Sequence, residues 1–464
     1  MRTLTTAVRT ALFTTITAVG LTASLSAQNA SAADLDALRE QIRLLDQKLR
    51  VLERNSELAA ETAAADAKKL PKITATEGRF EIASSDGANS LRLRGLVQGD
   101  GRFYFDDANA AQDRFLLRRA RLIFEGKFAE RFNYVVQPEF AGTTVSILDA
   151  NISTALIPET LNVRVGRFKT PVGLEQLQSD PVAFFNERSI ATNLAPNRDV
   201  GVEIFGSVLE KRLGYQVSAT NGVIDGGNSN PASDNLEGDF TVAGRLFATP
   251  FVNDKDSVLK GLGFGIAAAT GNYAGAQLNA YRTDGQQNFF AYRGTTVANG
   301  RASVISPQAY FYNGPLGILA EYFSNSAELI NAANAREITN TAVNLSVGYV
   351  LTGEDSTYRG VTPKTTFNPT AGTWGAFEVV ARFAQVDIDD DAFLGGVTSL
   401  AAATNATEVT SYGLGLNWYL SKTVRAGFNV FQNDFKLAPG AAPAAGTALA
   451  DDETVFITRV QVSF

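Results

Sequence analysis

From about residue 89 onward the apolar residues of this chain recur at every second position, and no helix tolerates that spacing. "NTAVNLSVGYV" places Thr341, Val343, Leu345, Val347 and Tyr349 on one face and Asn340, Asn344, Ser346 and Gly348 on the other. "SYGLGLNWYL" alternates Tyr412, Leu414, Leu416 and Trp418 with Gly413, Gly415 and Asn417, and "KTVRAGFNVF" alternates Val424, Ala426, Phe428 and Val430 with Thr423, Arg425, Gly427 and Asn429. A strand points successive side chains to opposite faces, and glycine inside such runs weighs further against a helix. "FLLRRARLIFEGKF", residues 115–128, is less regular. Leu116, Ala120, Leu122, Phe124, Gly126 and Phe128 share the even face, and Arg119, Arg121, Glu125 and Lys127 the odd one, with Phe115, Leu117 and Ile123 as exceptions. Arg118 breaks the even face, and a helix would also align Leu117, Ala120, Phe124 and Phe128, so this stretch alone is ambiguous.

Further strands are expected near 90–104, 131–141, 144–155, 160–168, 199–208, 212–221, 239–249, 258–270, 301–312, 315–325, 375–387 and 453–464, with 301–312 weakened by Pro307. The total is about sixteen, an even number of the kind bacterial single-chain barrels require. Short connections at 129–131, 210–212, 313–315 and 421–423 alternate with long ones at 169–198, 221–238, 270–300, 387–408 and 434–452, as in a barrel whose turns face the periplasm and whose loops face outward. The segment 352–374 is long on the short-turn side. A soluble sandwich would also alternate, and no repeat period suggests a solenoid. The chain's last stretch, "VFITRVQVSF", sets Phe456, Thr458, Val460, Val462 and Phe464 against Arg459, Gln461 and Ser463. A final strand stopping on an aromatic resembles the terminal signature of bacterial outer-membrane barrels. The expected fold is an all-β transmembrane barrel over 89–464.

The chain before it divides into three. Residues 1–32 carry Arg2 and Arg9 and no acid, then a short apolar-to-small stretch diluted by Thr, then Ala30-Ser31-Ala32, the pattern of a cleaved signal peptide; as a membrane anchor the apolar part is short. Residues 33–70 hold Leu35, Leu38, Ile42, Leu45, Leu49 and Leu52 in steps of three and four. That narrow seam favours a short periplasmic coiled coil over one amphipathic helix packed on a domain, without deciding between dimer and trimer. The heptad fades over 59–70, and 71–88 is expected as a linker. The 464 residues include no Cys and no His. That excludes a Ser-His-Asp triad, a thiolate nucleophile and a His/Cys zinc site, and leaves an enzyme, a metal or an organic cofactor unsupported.

Two stretches carry a more specific likeness. The first is "VRVGRFKTPVGLEQLQSDPVAFFNERSIATNLAPNRDVGVEIFG", with G-R-F-K-x-P-x-G-L-E-x-L-x-S, E-R-S and A-P-x-R-x-x-G-V. The second runs from "YVLTGEDSTYRGVTPKTTFNP" through "GTWGAFEVVARFAQVDIDDD" to "GLGLNWYLSKTVRAGFNVF". Over about residues 75–464 the chain resembles the phosphate-selective porins O and P. The resemblance implies a trimeric sixteen-stranded outer-membrane barrel with loops folded into the pore, including one long periplasmic turn, which would account for 352–374. It implies passive diffusion of small hydrophilic solutes, favouring anions such as phosphate or polyphosphate. Its partners would be outer-membrane lipids, the permeant anions and sister copies, with no nucleic acid. A non-selective porin and a purely structural envelope barrel are the alternatives.

In a barrel, one strand face meets lipid and the other the lumen. Period two then sends Arg92, Arg94, Arg119, Arg121, Lys127, Arg164, Arg245, Arg382, Arg425 and Arg459 inward, because an Arg facing mid-bilayer costs roughly 2–4 kcal/mol. Arg118 is left as an end-of-strand residue near the headgroups or as the mark of a register shift. The loop 169–198 adds Lys169 and Arg188, which match the family motif, together with Arg198, Glu175, Asp180 and Glu187, a mixed-charge constriction. The functional reading is a cationic wall that concentrates anions; the bland one is ordinary lumen charge. Once residues 1–32 are removed, 39 basic residues face 48 acidic ones, but net charge does not describe a local pore field. "DIDDD" at 387–391 lacks an EF-hand pattern and is expected to be a solvated acidic loop.

Overall fold

A computed structural model describes residues 32–105, 112–229, 239–438 and 451–464. The expected signal peptide lies almost wholly outside them. The chain forms two units, one ending at Leu70 and one running from Pro71 to Phe464.

In the first unit a single α-helix spans Ala32–Ala67, 36 residues or about 54 Å. It continues past the end of the heptad pattern because 59–67 is rich in alanine, the best helix former. Leu35, Leu38, Ile42, Leu45, Leu49 and Leu52 are all exposed along it, while Arg39–Asp36, Arg50–Asp46 and Arg54–Glu57 pair across single turns of its polar faces.

The second unit is a closed barrel of sixteen antiparallel strands: β1 Ser90–Tyr104, β2 Arg114–Phe128, β3 Phe132–Glu139, β4 Ser146–Ile157, β5 Leu161–Lys169, β6 Arg198–Val208, β7 Leu213–Thr220, β8 Thr241–Ala248, β9 Leu262–Ala276, β10 Val297–Asn313, β11 Leu316–Asn331, β12 Asn334–Val350, β13 Ala376–Asp387, β14 Ala406–Tyr419, β15 Val424–Leu437 and β16 Asp452–Ser463. Each pairs with its chain neighbour, and β16 pairs with β1 from Val455↔Tyr104 to Ser463↔Leu96, closing the ring. At the seam Phe464 and Gly95 exchange two backbone hydrogen bonds of 2.8 and 3.0 Å. A Cβ on residue 95 would stand 2.3 Å from the Phe464 ring, so any larger residue there would have to displace that ring. Pro307 sits inside β10 where the ladder to β11 skips Ser306 and Pro307, so its missing N–H breaks no rung on that side.

Residues 71–88, expected as a linker, contain a hairpin, Lys72–Thr76 with Arg79–Ala83, turned by Glu77-Gly78 with Gly78 at φ 73°. Its second strand pairs with the start of β1, from Phe80↔Leu93 to Ala83↔Ser90, so β1 is bonded along both edges. The signal is in the sequence: Ile73 and Ala75 alternate, as do Phe80 and Ile82, around a Gly-bearing two-residue turn. The strands expected at 315–325 and 340–349 also lengthen until they meet at Ala332-Ala333. Leu329 and Ile338, both buried, point inward there.

That inward burial is general on one side of the barrel. Two apolar clusters fill part of the lumen. One joins Ile190, Ala191 and Leu194 to Tyr281, Phe289, Phe290, Phe323 and Leu400. The other joins Leu174, Phe184 and Phe185 to Phe247, Leu319, Val380, Phe431 and Ile457. Residues 170–197 and the loops 277–296 and 388–405 fold into the barrel and pack there against inward strand side chains such as Phe323, Leu319, Val380 and Phe431. Asp389 of "DIDDD" caps its own short turn, accepting from the Thr339 and Asp391 amides.

Candidate functional site: the pore constriction

The loop 170–197, which follows β5, narrows the lumen. Its inner side is stitched to the wall. Glu321 on β11 accepts the Leu174 amide at 2.6 Å. Asn417 on β14 donates to the Phe184 carbonyl at 2.8 Å, and Asn429 on β15 accepts the Asn186 amide at 2.8 Å. Arg425 donates to the Ala183 carbonyl at 2.7 Å, and Gln461 to the Pro181 carbonyl at 2.8 Å. Arg382, wholly buried, bridges Glu175 and Asp284 at 2.9 Å each with Phe185 4.2 Å from its guanidinium. Burial pushes the Asp284 carboxyl up to about 6 against the pull of Arg382.

Glu187 is the second anchor. Its carboxylate lies 2.7 Å from Arg118, 2.9 Å from Arg102, 2.7 Å from Arg459 and 3.9 Å from Arg119. Burial alone would raise its pKa; the four guanidiniums hold it well below the usual carboxylate range. Asp180 behaves alike. Burial raises it, and Arg119, Arg188 and Arg121 outweigh that.

The outer side of the loop faces β1–β6 across the open part of the lumen. Two cavities lie there, of about 900 and 520 Å³. They share Arg121, Asp180 and Arg198 in their linings, so these three residues stand where the two cavities meet. Arg121 pairs with Glu139 at 2.6 Å and with Asp180; Arg198 pairs with Asp149 at 3.1 Å. The larger cavity is lined by nine Lys or Arg and four Asp or Glu, the smaller by six and three.

The twelve cations singled out from sequence divide by place. Arg92, Arg94, Arg121, Arg164, Lys169 and Arg245 line the larger cavity; Arg119, Arg121 and Arg188 line the smaller. Arg92 and Arg94 share Glu125 at 3.3 and 3.2 Å, and Arg164 pairs with Glu203. Arg245 is held by the Gln308 and Gln216 side-chain oxygens at 3.1 and 3.4 Å. Lys169 donates to the Gln176 and Gln178 carbonyls, and Arg188 to Asp180 and the Gln178 carbonyl, so both shape the loop. Arg382, Arg425 and Arg459 are buried fasteners of that loop rather than lining. Lys127 sits exposed beside the turn at 129–131, away from both cavities.

Arg118 resolves as a register shift. The pairing runs Gln98↔Arg119 and then Gly99↔Leu117, leaving Arg118 as the extra residue of a β-bulge. Beyond it the faces exchange. Phe115 and Leu117 turn outward, 82% and 54% exposed, and Leu116, expected to face lipid, shares the inward register of Asp100. The exceptions to alternation at Phe115 and Leu117 were the trace of this bulge. Sequence reasoning missed the counter-charges Glu139, Asp149 and Glu203, and the lining cations Arg282, Arg359 and Lys422, which parity alone does not rank.

A closed sixteen-stranded barrel with apolar residues outward, a charged lumen and an infolded loop defines an outer-membrane porin. The profile of the family "Phosphate-selective porin O and P" matches residues 91–464, and the chain belongs to that family. No curated protein matches significantly. Among solved structures, the anion-selective porin from Comamonas acidovorans aligns with TM-score 0.52 at 13% identity, covering 81% of this chain and all of that one. The trimer form of OmpT, an outer membrane protein of Vibrio cholerae, aligns with TM-score 0.50 at 10% identity over the same shares. At such identities the likeness is one of fold.

Proposed function

We propose that this porin conducts small anions in preference to cations, with phosphate among its permeants. One observation carries the reading: lining cations outnumber lining carboxylates about two to one in both cavities that meet at Arg121, Asp180 and Arg198. Fixed positive charge in a narrow, low-dielectric lumen raises the local anion concentration and repels cations. Arg121 and Arg198 present guanidinium forks, which suit the paired oxygens of phosphate. Their standing partners Glu139 and Asp149 keep that attraction weak enough for release, as conduction requires.

The test is the zero-current potential of purified protein in a planar bilayer across a KCl gradient, with phosphate added as a blocker of chloride current. The expected sign is that of chloride preference, reduced in the double variant Arg121→Gln/Arg198→Gln. A cation-selective sign, or a potential near zero, refutes the preference and leaves a non-selective pore.

The working unit we propose is a homotrimer. Six consecutive strands, β3–β8, are 8–12 residues long, whereas the rest are 12–17. A tilted strand needs about 9–11 residues to cross the hydrocarbon, so this short wall suits contact with sister barrels. The exposed seam of the helix would be covered by its copies in a coiled coil. Chemical cross-linking of the intact protein in mild detergent should give a trimer band.

A further inference from the structure

The two cavities differ in kind. The smaller is walled almost wholly by polar groups. The larger has apolar side chains on both of its facing sides. Ile123 on β2 and Val135 on β3 come from the barrel wall, and Leu177 and Val182 from the infolded loop. All four are partly exposed rather than packed away. Ile123 stands out because its neighbours on the inward face of β2 are Arg121 and Glu125, and it pairs in register with the inward Arg94. A wall built only to pass hydrated inorganic ions gains nothing from an isoleucine between an arginine and a glutamate, since apolar surface left in water is unfavourable.

Building on the anion preference above, we infer that the larger cavity is a binding station for organic anions with an apolar body, such as aryl or alkyl phosphates and aromatic carboxylates. The charged head would be met by Arg94, Arg121 or Arg245. Arg245 suits this role because neutral amides, not a carboxylate, hold it. The apolar body would lie between Ile123 and Val135 on one side and Leu177 and Val182 on the other. The cavity, about 900 Å³, holds a single-ring anion with room for water.

Phenyl phosphate and inorganic phosphate test this, because they share a head group and differ by a ring. Both are added to purified protein in planar bilayers at mildly alkaline pH, where each is mostly a dianion, and the half-blocking concentration for chloride current is read. Phenyl phosphate should block at a concentration about tenfold lower, the gain that partial burial of one ring supplies. Ile123→Asn and Val182→Ser, one on each side of the slot, should each bring the ratio of the two concentrations towards one. A ratio of one in the unmodified protein, or an undiminished ratio in both variants, overturns the organic-anion assignment while leaving the anion preference standing. Cation-selective conduction with no block by either compound overturns the anion preference and this inference with it.

Discussion

Replacing Glu187 by Gln should release the constriction loop without unfolding the barrel. The carboxylate sits among Arg102, Arg118, Arg119 and Arg459, none farther than 3.9 Å. In the variant Asp100 still pairs with Arg102 and Arg459, and Asp180 with Arg119, but Arg118 has no carboxylate left. Breaking a buried pair from one side costs about 3–5 kcal/mol, which shifts the docked-to-undocked ratio of the loop by about two to four powers of ten. The barrel's own ladder is untouched. Single-channel recordings should therefore show frequent excursions to a larger conductance that the unmodified protein rarely visits. Glu159→Gln is the matched control. Glu159 pairs with Lys211 at 2.9 Å on an exposed turn, where such a pair contributes about 0–1 kcal/mol, and its traces should match the unmodified protein. If Glu187→Gln gives the same quiet trace as Glu159→Gln, the arginine cage is not what holds the loop.

Asp180→Asn removes a negative charge from the constriction while Arg425 and Arg382 still fasten the loop. A unit charge ~8 Å from the ion path acts by about 0.5 kcal/mol with opposite sign on anion and cation, so the permeability ratio should move about fivefold towards anions. A reversal potential that is unmoved or shifts towards cations counts against Asp180 as a constriction charge. Asp225, in the loop after β7, has its carboxyl pushed up to about 6 by burial, against the Asn279 hydrogen bond of 2.7 Å. The folded state therefore holds that proton more tightly than the unfolded chain does. Its contribution is full below the ordinary aspartate value of 3.8 and is lost as pH rises through about 6. Asp225→Asn should flatten the thermal-stability profile across that window and stabilise at neutral pH; an unchanged profile rules Asp225 out as its source.

Much of the barrel was legible because a membrane punishes errors of face. Val460, Leu414 and Phe428 had to point one way and Arg459, Asn417 and Arg425 the other, so parity alone placed them. It failed where another constraint entered. At Arg118 a bulge inserted one residue, and the sequence recorded it only as two mismatched halves of one strand. At Leu329 and Ile338 the lumen is filled by loops, so apolar side chains turn inward and the outward-apolar rule no longer discriminates. The charged site was legible as a set of inward cations but not as an arrangement. Parity gives Arg382 and Arg245 the same status. Only the fold of residues 170–197 makes the first a buried fastener and the second an available charge. The pairings were unreadable for the same reason, since Asp180, itself named from the sequence, meets Arg121 from a loop some sixty positions away.

The cage around Glu187 also bears on how the molecule is built. Arg102 belongs to β1, Arg118 to β2 and Arg459 to β16, so the carboxylate gathers ligands from both sides of the line along which the ring closes. Before the final strand docks, Arg459 is absent from the cage, and Gln461 is not there to grip Pro181. Ties such as those from Arg382 on β13 and Asn417 on β14 do not involve that line, but the full cage does. The seam that makes the barrel a ring is therefore also one of the places where its narrowing loop is latched, so closure and gauge share the same residues.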